Sequence, residues 1–395
     1  MSDMENALIS IIRHCPNLEI FVVEWPMGAS FGPIADALAT YVCKTLRTVH
    51  WNVPYETLSK VIWALDSLPY ILSAHIEFEP PASESQEDVH LGAASDLHLT
   101  LPNLQQLTLK GYFQEFLEQA IGWSIPSLKS LSFDFGNSRT DQPDVITFLT
   151  HHGSELIFLD LYCIPPLDVP KVLDLCPLLT TFNFNADWRF PLDDTESTDL
   201  TPSTTPPSSS TIVHSPHANI TSIGLHGLMY AFDVGFAATY SSIQPLRSHI
   251  IRRTNDLNVS ALTKLNFPKL QRVRALNQTM LLDLNKVNGP GKEEGGWERW
   301  ERWWAMCVGM GVRLEDCTGA LLGTLPADEE EEDEGEGGDN EEEEEKEDEG
   351  EFEFEIPPMP REGGDRVNEL RQLLEECRIM AEEREDSIFT PAGLW

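Results

Sequence analysis

Nine times along this chain an apolar triad recurs at relative positions 1, 4 and 6, and few folds accept that spacing. The triads read Leu18/Phe21/Val23, Leu46/Val49/Trp51, Ile71/Ala74/Ile76, Leu104/Leu107/Leu109, Leu128/Leu131/Phe133, Leu156/Leu159/Leu161, Leu179/Phe182/Phe184, Ile220/Ile223/Leu225 and, more weakly, Leu270/Val273/Ala275. Pro16, Pro69, Pro102, Pro126, Pro177 and Pro268 each stand two residues before a triad. Over the first seven triads the spacing is 23 to 33 residues, near the roughly 20–29-residue period of short structural repeats with irregular insertions. Residues two apart in a strand share a face, so the last two members of each triad point inward and their neighbours point outward.

Between triads the period changes from two to that of a helix. Phe31, Ile34, Leu38 and Val42 share one helical face, as do Tyr55, Leu58, Ile62 and Leu65, and Phe113, Phe116, Leu117 and Ile121. Shorter versions occur at Val145, Phe148 and Leu149 and at Val169, Val172 and Leu173. Each unit is therefore a strand followed by a helix, and neither buries its apolar face alone. Stacked units share one continuous core. The prediction is an α/β fold: a leucine-rich-repeat solenoid over residues 1–325, with short parallel strands on the concave side and helices on the convex side. Met1–His14 is expected to be a short helix (Leu8, Ile11, Ile12) leading into the first triad, and the segments Ile243–Arg253 and Val259–Leu265 also read as helical.

Several segments depart from the repeat. Residues 191–216 are rich in Ser, Thr and Pro and are expected to be a disordered insertion. Residues 297–325 read as a capping helix and a last strand. Trp297, Trp300 and Trp304 recur at i, i+3 and i+7, and such an aromatic stripe suits the cover a terminal repeat needs. Residues 328–356 form an acidic tract that cannot bury a core. Residues 365–386 read as an isolated amphipathic helix, with Val367, Leu370, Leu374, Cys377 and Ala381 on one face, followed by an apolar tail at 387–395.

Charge narrows the partners. Between Asp328 and Glu355 twenty acidic residues face a single basic one, Lys346, and that run carries half of the net charge of −38. The remainder is also acidic, so nucleic acid and anionic membrane are not expected partners, whereas basic proteins are expected on the acidic tract. No apolar run approaches the roughly 20 residues that span a bilayer, and the start has no basic region ahead of an apolar stretch. Seven scattered cysteines without a CxxC pair indicate neither a disulfide framework nor a zinc site. Cys15 and Cys176 precede repeat-start prolines and are expected to be buried thiols. The expected compartment is cytoplasm or nucleus.

No GxGxxG, Walker A, HExxH or GxSxG motif is present, so neither catalysis nor a cofactor is expected. The candidate binding surface is the outward row of the strands. Its candidate residues are His50 and Asn52, His75 and Glu77, Lys110, Asp134, Phe158 with Asp160 and Tyr162, Asn183 and Asn185, His226, Arg272 and Arg274. Phe158, Tyr162 and Arg274 are the preferred anchors, because aromatic residues and arginine dominate interface hot spots. Stacked strands place corresponding residues about 4.8 Å apart, which puts His50 and His75 within reach of one metal ion. Solvated polar residues on a binding face are the expectation there, with no metal.

The segment Asn266-Phe267-Pro268-Lys269-Leu270-Gln271-Arg272-Val273-Arg274, with Trp297–Trp304 and Gly311-Val312-Arg313-Leu314-Glu315-Asp316, resembles the C-terminal part of basidiomycete F-box/leucine-rich-repeat proteins. The resemblance covers residues 1–325, repeats included. It implies a repeat surface that selects a protein substrate for a cullin–RING ubiquitin ligase. No leucine-proline-acidic F-box opening precedes the first triad, so ligase subunits are expected partners only if such a module is encoded upstream. The acidic tract also gives the chain a similarity to acidic leucine-rich nuclear phosphoproteins. That similarity implies the alternative of a chaperone for histones or other basic proteins.

Overall fold

The computed structural model describes residues 2–80, 91–135, 144–162, 167–187, 212–278 (except five positions between 236 and 242) and 296–320. The chain divides into two compact units, Met1–Leu325 and Pro326–Trp395. The second unit lies wholly outside the described residues. So do the acidic tract, the helix expected at 365–386, the apolar tail and most of the expected insertion at 191–216.

Among the described residues, ten strands form one parallel sheet in strict sequence order: β1 (Ile20–Val22), β2 (Thr48–Pro54), β3 (Ser73–Glu79), β4 (Gln106–Gly111), β5 (Ser130–Asp134), β6 (Phe158–Tyr162), β7 (Thr181–Asn185), β8 (Ser222–His226), β9 (Arg272–Ala275) and β10 (Arg313–Glu315). The register aligns the triads. Phe21, Val49, Ala74, Leu107, Leu131, Leu159, Phe182, Ile223, Val273 and Leu314 are successive Cα partners across all ten strands. All ten are buried, none more than 6% exposed. A one-residue slip would turn every one of them to the other face, so burial of this row fixes the pairing.

Helices precede β1 and join the strands: α1 (Ser2–His14), α2 (Phe31–Tyr41), α3 (Leu58–Asp66), α4 (Gln114–Ala120), α5 (Val145–His152), α6 (Val169–Leu175), α7 (Met229–Phe232), α8 (Pro245–Ser260) and α9 (Gly296–Gly309). Their apolar faces join the inward strand residues in one cluster; Phe31, Ile34, Leu38, Phe116, Phe148 and Val172 are each at most 1% exposed. Asp144 and Asp168 cap α5 and α6 by accepting from Thr147 N and Lys171 N, both at 3.2 Å. Pro170 follows Asp168 closely in the first turn of α6, where its missing N–H costs nothing. No described helix is long and apolar enough to cross a membrane.

The expected first helix is present as α1, with Ile12 fully buried and Ile11 53% exposed, because only one narrow face meets α2. Three expectations fail locally. Cys15 is exposed rather than buried, while Cys176 at the equivalent place in a later repeat is buried as expected. The buried stripe of α9 is Trp300, Trp303 and Cys307, whereas Trp304 is 42% exposed. Trp303 is drawn in because its Nε1–H donates to Asp256 at 3.0 Å and its ring meets Phe232 edge-on at 5.3 Å.

The third failure is at α8. The helix covers most of the first expected segment and ends at Ser260, while 261–265 is turn and loop rather than the second expected helix. The inward face of α8 is largely polar: Ser248, Thr254, Asn255 and Asn258 are buried while Leu246, Ile250 and Leu257 are exposed. The cause is the chain just after β7. Asn255 Nδ2 donates to Ala186 O and to Asp187 Oδ1, both at 2.8 Å, and Asn258 Nδ2 donates to Ala186 O at 2.7 Å. A buried carbonyl and a buried carboxylate need donors more than apolar cover, and burial pushes the Asp187 carboxyl above the usual range.

Candidate functional site

Opposite the helix-covered face, the outward residues line up in rows by the same register. One row runs His50, His75, Thr108, Ser132, Asp160, Asn183, Gly224, Arg274 and Glu315 across β2 to β10. Beside it, Asn52, Glu77, Lys110, Asp134 and Tyr162 are partners across β2 to β6, and Asn185 pairs with His226 across β7 and β8. Phe158 and Arg272 lie two residues before Asp160 and Arg274, in a third row with Thr181 and Ser222. All fourteen candidate residues thus fall on one face of one sheet.

Their availability differs. At the centre, Asp160 accepts from Asn183 Nδ2 at 3.1 Å and from His226 Nε2 at 2.8 Å. A carboxylate only accepts, so Nε2 of His226 carries the proton. The Asp160 and His226 side chains are each only 16% exposed, and the His226 ring lies 4.4 Å from that of Tyr162. Gly224 makes this possible: a Cβ there would collide with the Asn183 side chain. Of the two aromatic candidates Tyr162, at 38% exposure, is the more exposed.

Toward β2, Lys110 Nζ lies 2.8 Å from Glu77 Oε1, and this bond holds the Lys110 ammonium above its usual pKa. The His50 and His75 rings lie with centroids 3.9 Å apart, tilted by 37°. Burial and the neighbouring His50 depress His75 to about 4, so its imidazole is neutral at pH 7. Toward β10, Arg274 donates twice to Glu315, at 2.7 and 3.2 Å, and the Glu315 side chain is only 3% exposed. Arg313 Nε lies 3.4 Å from the other Glu315 oxygen.

These contacts change the expected roles. Asn52 and Asn183 stand on the outward face, yet only 8% and 7% of each is exposed, because neighbouring side chains close over them. Arg274 is committed to a buried carboxylate rather than free to anchor a ligand. Arg272, which donates from Nε to Ser222 Oγ at 3.1 Å, is the more exposed arginine of its strand. Glu315 was legible only as a residue of the last strand; its role appears when β10 pairs with β9. Among the described residues, His50, His75 and Glu77 form the one group of three whose ligand atoms converge, all within 4.8 Å of one another.

A shallow cleft beside α1, lined by residues including Met4, Leu8, Trp25 and Met27, offers less chemistry. Its carboxylate, Glu5, already accepts from Ser30 Oγ at 2.6 Å. No family model, curated protein or solved structure matches this chain.

Proposed function

We propose that the chain is a non-catalytic protein-binding scaffold built as a leucine-rich-repeat solenoid. Its polar sheet face, concave in such a solenoid, recognises a protein ligand in the manner of the substrate-recognition part of an F-box ubiquitin-ligase subunit. The observation that carries this reading is the contrast between the two faces of the sheet. One is sealed by helices along a ten-residue buried row. The other presents charged, polar and aromatic side chains in register over nine successive strands. A parallel sheet is ordinarily covered on both faces, so a polar face of this breadth, uncovered among the described residues, is a surface kept for another molecule. The ligase part of the reading rests on the resemblance of residues 266–274, 297–304 and 311–316, which fall in and around β9, α9 and β10.

Affinity capture with the full chain and with a Lys110→Glu, Tyr162→Ala, Arg272→Glu variant tests the scaffold. Proteins retained by the first and lost by the second support it, and an identical set of partners from both overturns it. Cullin–RING ligase subunits among the retained proteins support the ligase version; their consistent absence removes that version alone.

A further inference from the structure

We propose that His50, His75 and Glu77 form a binding site for a divalent transition-metal ion of the Zn²⁺ type at the β2–β3 end of the polar face. This does not depend on the protein-binding reading. The backbone builds the constellation: His50 and His75 are Cα partners on adjacent parallel strands, and Glu77 follows His75 by two residues on the same face. Two imidazoles and a carboxylate are a donor set that zinc accepts with one position left for water, and nitrogen donors disfavour Ca²⁺ and Mg²⁺. With metal–ligand bonds of about 2.0–2.2 Å, tetrahedral ligand atoms lie about 3.3–3.6 Å apart. The three donors already fall within 4.8 Å of one another, so small side-chain rotations bring them to that spacing.

A further feature fits a bound cation. Next to the cluster, Asn52 is the register partner of Glu77; its Nδ2 donates to Glu24 O at 3.3 Å, while its buried Oδ1 has no partner among the described residues. A buried acceptor without a donor is costly, and a metal-bound water or the ion itself would satisfy it. Lys110 is the competitor, because its ammonium holds Glu77 Oε1. Its side chain is 45% exposed, and Asp134, its partner on β5, can hold the ammonium once Glu77 turns to a metal.

The test uses the full chain with Co²⁺ followed by visible absorption and Zn²⁺ followed by calorimetry. The expected result is one Co²⁺ per chain with ligand-field bands, abolished in His50→Gln/His75→Gln and weakened about tenfold or more in Glu77→Gln. Removal of residues 328–355 should leave the bands intact, which separates this site from weak binding on the acidic tract. Lys110→Ala keeps every donor and should bind several-fold more tightly. Absence of the bands, equal binding by the double histidine variant, loss on removing the tract, or unchanged affinity in Lys110→Ala would each overturn the site.

Discussion

His226 Nε2 lies 2.8 Å from Asp160 Oδ1 although β7 runs between their strands. The link crosses two strand spacings because Gly224 offers no side chain on β8 and Asn183 on β7 leans onto the same carboxylate. Asp160→Ala removes the acceptor of both donors. It should destabilise the chain by roughly 1–3 kcal/mol, read as a lower urea midpoint, with a larger loss than Ser132→Ala one strand away. Equal effects would mean the network contributes nothing special.

Arg274 and Glu315 form an ion pair on the polar face whose carboxylate is almost fully buried. Arg274→Ala leaves a carboxylate that is 3% exposed without its main partner, and should cost on the order of 3 kcal/mol. Replacing both residues with apolar ones of similar size should recover most of that loss, which a double-mutant cycle in denaturant measures.

Gly111 ends β4 at φ +81°, and a Cβ would collide with the carbonyl of Phe78. Both the left-handed backbone and the contact oppose any side chain. Gly111→Ala is expected to lower stability by on the order of 2–4 kcal/mol, seen as a fall in the thermal midpoint.

His152 sets a pH dependence. Its Nε2–H donates to Ala120 O at 3.1 Å, and burial holds its pKa below the ordinary 6.5. The unfolded chain therefore takes up this proton first as pH falls. Stability is complete above about pH 6.5 and declines below it. In His152→Gln the urea midpoint should decline less between pH 7 and pH 5 than in the unaltered chain.

Thiol chemistry separates the cysteines. Burial pushes Cys176 up to about 12 and Cys307 up to about 11, whereas Cys15 is exposed. Mild alkylation at pH 8, mapped by mass spectrometry, should label Cys15 and spare Cys176 and Cys307 until the chain is unfolded.

The strands, their order and which side chains turn inward could be read from the local pattern alone. Positions 4 and 6 of the nine triads are the buried residues of β1 to β9, with Val23 one residue past the end of β1, because a period of two against a period of 3.6 is a local property of the chain. The helix faces at Phe31, Phe116 and Val172 were legible for the same reason. What the tertiary structure decided was which polar groups remain available. Burial of Asn52 and Asn183, the commitment of Arg274 to Glu315 and the reach of His226 to Asp160 all depend on residues brought together from different repeats. The inverted face of α8 has the same origin: Asn255 and Asn258 are inside because Ala186 O and Asp187 need donors there. A hydrophobic pattern records what must leave water, and a polar group's fate depends on the partner that folding places beside it.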